Sequence, residues 1–406
     1  MHTTFANDLH ALEIILTAAC NLRCAYCYQN DKQSRRMTWD VLLPALDLIL
    51  GSRRDRVRLL FIGGEPLLEM PLIRRAVEHT RQKRRRGQRI SFHISTNGLL
   101  VDDDIIAFFA EHDFDTQVSF DGVAAAQDFR GRGTFAELDA LLDHLRDDFP
   151  DFFRSNFHVA LTLHSGNLSF LADSIEYFIG KGVREVQIAP LITHDSSWRY
   201  EDIHRLDQQF ARIFDASLAH YRLTGEVPLQ IFQKGERQTD HCTANDGAIC
   251  AAGQGTKIAV DVDGRVTGCV MFAESYQRWT TDLLKATLEP MQMGKVRSVD
   301  FRRRLALYPQ AARAGALFHD KASKYSSYSK CGTCVYLDEC GICPTSSGHI
   351  PGNSDPHRLP DMACAYNLTA LKYRALFPAQ PDILDLVTEG TSLPVLIQEI
   401  LSSGGA

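Results

Sequence analysis

Six short apolar runs, each followed by an amphipathic stretch, set the strongest limit on how this chain can fold. Alternation of strand and helix is the pattern of a parallel sheet, because parallel neighbours must be joined by a crossover of a dozen or more residues. Residues 12–17, 57–62, 90–95, 116–120, 157–163 and 185–189 read as strands. Residues 39–50, 68–86, 103–112, 135–148, 168–180 and 201–221 read as helices. Thr38 is expected to N-cap the first helix, and Gly87 to stop the second directly in a left-handed conformation.

After about residue 235 cysteine, glycine and short strands replace the long helices, as in a small domain ordered by metal rather than by core area. The expected division is 1–235, 236–375 and a tail, 376–406, with an amphipathic stretch at 395–401. A formal net charge of −6 without a basic stripe argues against nucleic-acid binding, and no apolar run approaches the roughly 20 residues that span a bilayer. The cationic run at 83–86 falls at a helix C-terminus, where the helix dipole favours cations in water. Residues 1–10 lack a cationic start followed by an apolar stretch, so a cytoplasmic location is expected. About ten residues before the first strand leave no room there for a winged-helix peptide-binding domain, so any leader-binding function is assigned to a separate protein.

Eleven cysteines are the chemical signal. The first expected strand runs into Cys20-Asn-Leu-Arg-Cys24-Ala-Tyr-Cys27, three thiols on one loop. Iron–sulfur clusters usually take four cysteines, so a three-cysteine loop leaves one iron open to an external ligand. Zinc would want a fourth Cys or His nearby, and none falls between Thr17 and Arg36. Downstream, Cys331-x2-Cys334-x5-Cys340-x2-Cys343 is too dense for disulfides and strong for metal, with zinc as the alternative to iron and sulfide. Cys250 and Cys269 flank an expected hairpin with an Asp263-Gly264 turn.

The spacing of Cys20, Cys24 and Cys27, with Tyr26 just before the third cysteine, resembles the radical S-adenosylmethionine (SAM) superfamily. That resemblance implies a partial (β/α)6 barrel of TIM type, with SAM's amino and carboxylate groups on the open iron of a [4Fe–4S] cluster and Tyr26 against adenine. It makes Gly63-Gly64-Glu65-Pro66 the segment that bonds SAM's amino group, and puts Ser119 and Asp121 near its carboxylate and ribose. Ser95-Thr96-Asn97-Gly98 forms a further polar turn, and Arg130 is a candidate partner for the SAM carboxylate, with an exposed loop arginine as the alternative. The later cysteines resemble the SPASM extension, which binds two auxiliary [4Fe–4S] clusters. The implied ligands are Cys242, Cys250, Cys269 and Cys343 for the first, and Cys331, Cys334, Cys340 and Cys364 for the second.

The implied reaction is reductive cleavage of SAM to a 5′-deoxyadenosyl radical that modifies a peptide or protein side chain, as in maturation of a ribosomally made peptide by crosslinking or oxidation. The electron comes from an external donor such as flavodoxin or ferredoxin. Formylglycine formation on sulfatases is the nearest sibling, but the aspartate base expected just after the cysteine at the Cys269 position is replaced by Val270. A small-molecule radical enzyme and a non-catalytic electron carrier are the other readings. Acid or base candidates are Asp261, Asp263, Glu274, Tyr276 and His349, which sequence alone does not separate from loop residues.

Overall fold

The computed structural model describes residues 8–29, 32–233, 250, 252, 255–276, 278–318 and 320–378. The six expected strands form within two residues of the expected bounds: β1 (Ala11–Ile15), β2 (Arg56–Ile62), β3 (Arg89–Thr96), β4 (Phe114–Ser119), β5 (Phe157–Leu163) and β6 (Val186–Pro190). All pair in parallel with their sequence neighbours, giving the partial barrel. Every residue of β1 is buried, as befits a strand covered on both faces.

The crossovers are α1 (Trp39–Leu50), α2 (Met70–Lys83), α3 (Asp103–Glu111), the short α4 (Ala124–Gln127), α5 (Phe135–Asp148), α6 (Pro150–Ser155), α7 (Leu171–Gly180) and α8 (Asp202–Thr224). Asp102 caps α3 by accepting from Ile105 N at 2.9 Å. Phe114 anchors the core, with the rings of Phe61, Phe92 and Phe109 at 6.0, 5.3 and 4.6 Å.

Two local expectations are corrected. Thr38 occupies the N-cap position of α1, but its side chain makes no capping bond. The second helix ends at Lys83, not at residue 86, because Arg84 is extended (ψ 143). Arg85 then reaches Asp55 at 2.7 Å and the carbonyls of Arg53 and Arg54, so the chain leaves the helix to bind the loop before β2. Gly87 is left-handed (φ 86), but in the turn into β3 rather than directly after the helix.

Beyond the barrel, β7 (Lys257–Val260) and β8 (Arg265–Thr267) form the expected hairpin, with Gly264 at φ 86 in its turn. β9 (Gly294–Lys295) pairs with β8, and α9 (Asp282–Leu288) and α10 (Phe301–Ala314) lie on either side of it in sequence. β7 pairs in parallel with β1, so one sheet of order β6-β5-β4-β3-β2-β1-β7-β8-β9 crosses residue 235. At the opposite edge α11 (Asp361–Leu376) returns to the barrel, where Tyr366 donates to Ile188 O at 2.7 Å and Lys372 pairs with Asp207 at 2.6 Å. The cysteine-rich region thus touches both edges of the barrel. The helical stretch expected at 395–401 lies outside the described residues. Among those described, no helix is long and apolar enough to cross a membrane.

Candidate active site and cluster centres

The cysteine loop leaves the C-terminal end of β1, the end at which barrel enzymes build their sites. It is pinned from several sides: Thr17 Oγ1 donates to Arg35 O at 3.1 Å, Gln29 Nε2 to Ala18 O at 2.8 Å, and Ala25 N to Phe129 O at 2.8 Å. Cys20, Cys24 and Cys27 are half-buried on this loop. Cys20 Sγ accepts from Leu22 N at 3.3 Å, and Asn97 Nδ2 approaches it at 3.9 Å. Burial pushes the Cys20 and Cys24 thiols up, and the nearby Cys27 adds to both.

Gly63 and Gly64 serve this loop. A Cβ on Gly63 would lie 2.7 Å from Thr17 O, and one on Gly64 would lie 2.1 Å from Ala19 O. Gly64 N donates to Thr17 O at 2.8 Å and Glu65 N to Ala19 O at 2.9 Å. The glycines therefore permit close approach to the cysteine loop's own backbone. Glu65 is fully buried, and its carboxylate accepts from Leu67 N at 3.0 Å, Thr96 Oγ1 at 2.7 Å and Asn97 N at 2.8 Å. Its side chain ties β2 to the turn after β3. Burial pushes its carboxyl up to about 7, against these hydrogen bonds.

At the ends of β4 and β5 a second buried group forms. Ser119 is half-buried at the end of β4. Asp121 Oδ1 accepts from Arg130 at 2.8 Å and from Thr162 N at 3.0 Å, while Oδ2 accepts from the Tyr26 hydroxyl. Arg130 is buried, not an exposed loop arginine, and its guanidinium stands 5.4 Å from the Tyr26 ring centroid. Both Asp121 oxygens are thus used in aiming Arg130 and Tyr26. His164, just past β5, was not foreseen: its ring lies 4.8 Å from that of Tyr26, and Nδ1 accepts from Gly166 N at 3.1 Å. Burial lowers its pKa, and acceptance at Nδ1 leaves the ring proton on Nε2. Arg130 Nε and His164 Nε2 are buried without a partner. Two orphaned donors beside Tyr26 and the three thiols fit an anionic, hydrogen-bonding ligand over a cluster. The only advance signal for His164 was its place at a strand's C-terminal end.

Of the acid or base candidates, Tyr276 and Asp261 lie near this end. Tyr276 is buried and donates to Gly63 O at 2.5 Å, with the Tyr28 hydroxyl at 3.4 Å. Asp261 is buried and accepts from Ser275 Oγ; burial, then Asp263, pushes its carboxyl up to about 7. Asp263 is half-buried and Glu274 exposed. His349 lies in the cysteine-rich region beside Gly348, whose carbonyl accepts from Thr281, and burial lowers it to about 4.

The downstream thiols fall into two groups. Cys331, Cys334, Cys340 and Cys364 line one cavity together with Lys321 and Lys324; Cys343 does not line it. Cys343 instead lies near enough to Cys269 for its charge to raise that thiol. Cys250 and Cys269 both act on Lys257, whose Nζ is 3.8 Å from Cys269 Sγ. Cys242 lies outside the described residues. Gly268 lets this group close: a Cβ there would overlap the Tyr308 hydroxyl at 1.4 Å. Among the described residues no three His, Cys, Asp or Glu side chains are gathered as a single-ion site.

The fold and its mouth define a partial-barrel protein with a three-cysteine loop and an attached cysteine-rich module. The chain carries a radical SAM domain: residues 14–166 match the Radical SAM superfamily. That domain implies SAM and one [4Fe–4S] cluster, and the residues at the mouth fit both. A serine-type anaerobic sulfatase-maturating enzyme of Klebsiella aerogenes is 27% identical over 201 residues, 47% of this chain and 48% of the relative. The chain matches 48–59% of the length of its first curated relatives. The same fold is found in native anSMEcpe with bound AdoMet (TM-score 0.67, 17% identity, 90% of this chain and 97% of that one). It is found again in Streptococcus suis SuiB bound to precursor peptide SuiA (TM-score 0.53, 16% identity, 88% and 76%).

Proposed function

We propose that this chain is a radical SAM enzyme with three [4Fe–4S] centres that modifies a side chain of a peptide or protein. The observation that carries this reading is the cavity outside the matched domain lined by Cys331, Cys334, Cys340 and Cys364, the set expected for a second auxiliary centre. In this reading Cys20, Cys24 and Cys27 hold the SAM cluster, and Cys250, Cys269, Cys343 and Cys242 the first auxiliary centre. Residues 1–235 then supply the radical chemistry and residues 236–375 the auxiliary centres, with 376–406 as a tail.

The cofactor, when bound, supplies one-electron scission of SAM to a 5′-deoxyadenosyl radical. The chain's residues bind and orient. Tyr26 offers a ring face, held by its bond to Asp121, and Arg130 and His164 offer donors to SAM's polar groups. Glu65 keeps the turns after β2 and β3 in register with the cysteine loop. A peptide substrate is supported by two neighbours of the same fold: anSMEcpe is known with a Kp18Cys peptide, and SuiB with its precursor peptide. An external one-electron donor completes the scheme, and a separate leader-binding protein is a further proposed partner.

Formylglycine formation is the second reading, favoured by the sulfatase-maturating relatives. Against it, Val270 offers no carboxylate after Cys269, and the carboxylate that reaches this point, Glu13, is buried and paired with Lys257. Anaerobically reconstituted full chain with SAM and dithionite is expected to release 5′-deoxyadenosine, and substitution of Cys20, Cys24 and Cys27 by alanine to abolish that release. Intact SAM in the wild-type reaction would refute the reading and leave an electron carrier.

A further inference from the structure

A buried ion pair stands where the proposed first auxiliary centre meets the barrel. Glu13 lies on β1 and Lys257 on β7, one pleat apart in the parallel register that matches Glu13 to Ala259. Lys257 Nζ donates to Glu13 Oε1 at 2.8 Å, and their side chains are 10% and 8% exposed. A buried ion pair is weak evidence for stability, since desolvating two charges costs about as much as their attraction returns. Its other contacts all lead to one place. Lys257 Nζ lies 3.8 Å from Cys269 Sγ, and Glu13 Oε2 accepts from Val270 N, the next backbone amide, at 2.9 Å. Cys250 also bears on Lys257 and, with Cys269, on the buried hydroxyl of Tyr308, which donates to Ala252 O at 2.5 Å.

We infer that Lys257 is a positioning residue for the first auxiliary centre: its ammonium, held by Glu13, donates to the Cys269 sulfur and raises that centre's reduction potential. Reduction adds negative charge to a buried cluster, and a fixed cation with an N–H···S bond favours the more negative state. Glu13 opposes this in part while aiming the ammonium. The pair thereby makes the centre a better acceptor of an electron leaving a substrate radical. This inference rests on the proposed ligation of a cluster by Cys269, and its test separates the two.

The test is an EPR-monitored redox titration of the full, anaerobically reconstituted chain. The Cys269→Ala variant identifies the centre by the signal it removes; if it removes none, the proposed ligation fails. With the signal assigned, Lys257→Met is expected to lower its potential by about 59 mV, a tenfold change in a one-electron equilibrium. Lys257→Arg, which keeps the charge, is expected to restore most of that shift. Glu13→Gln is expected to move the potential the other way, because the cation is then unopposed. A structural role would not produce shifts of opposite sign. Unchanged potentials, shifts of the same sign, or loss of the centre in both Lys257→Met and Glu13→Gln would overturn the inference. If only Lys257→Met loses the centre, the direction of the Glu13→Gln shift decides.

Discussion

Glu65 sits at the joint between the cysteine loop and the turns after β2 and β3, and it makes a prediction of its own. Burial pushes its carboxyl up to about 7 against an ordinary 4.5, so between those pH values the folded chain binds more proton there than the unfolded chain. The stabilisation is full below about pH 4.5 and disappears as pH rises through 7, a contribution of roughly 3 kcal/mol for a shift of this size. Apparent Tm against pH is expected to flatten across that window in Glu65→Gln. The variant should also lose about 1–3 kcal/mol, because an amide cannot accept all three donors. An unchanged slope would show that another group sets it. At this scale the sequence could be read where spacing alone sets position: Cys20, Cys24, Cys27 and Tyr26 share one loop after β1. It was less readable where role depends on a distant partner. Glu65, in the segment expected at SAM's amino group, and Asp121, expected near its carboxylate and ribose, also bond Thr96, Asn97, Arg130 and Tyr26. His164 and Lys257 gain meaning only from neighbours on other strands.

Among elements, the strands were legible because apolar runs of four to eight residues mark a buried sheet, and most helix bounds followed from amphipathic period. The end of α2 was not, because Arg85 leaves the helix for Asp55 and the loop before β2, a tertiary contact that overrides the expected glycine stop. The β7–β8 hairpin was visible through its Asp263-Gly264 turn, but its return path was not. Gly268 follows β8 and packs against Tyr308 of α10 with no room for a side chain. Gly268→Ala is therefore expected to displace Tyr308 or Cys269 and cost about 1–3 kcal/mol by overpacking. Loss of about four iron atoms per chain, with 5′-deoxyadenosine formation reduced less than in the Cys20, Cys24 and Cys27 variant, is the expected readout. Full iron content would show that the strand end relaxes without harm to the centre.

The whole molecule joins two regions that sequence reading separates at residue 235. Strand β7 extends the barrel sheet from β1, and α11 closes against α8 and β6. Parallel pairing between segments some 245 positions apart leaves no local mark, whereas the change in composition at the boundary does. The physical consequence is a continuous sheet linking the cysteine loop at the end of β1 to Cys269 beyond β8, with Glu13 and Lys257 between them. The central claim is that this body holds three four-iron centres, and iron and acid-labile sulfide per chain test it most directly. About twelve of each are expected after anaerobic reconstitution, falling to about eight when Cys20, Cys24 and Cys27 are replaced by alanine. About four iron atoms in the wild-type chain, or zinc in place of the remainder, would contradict the account.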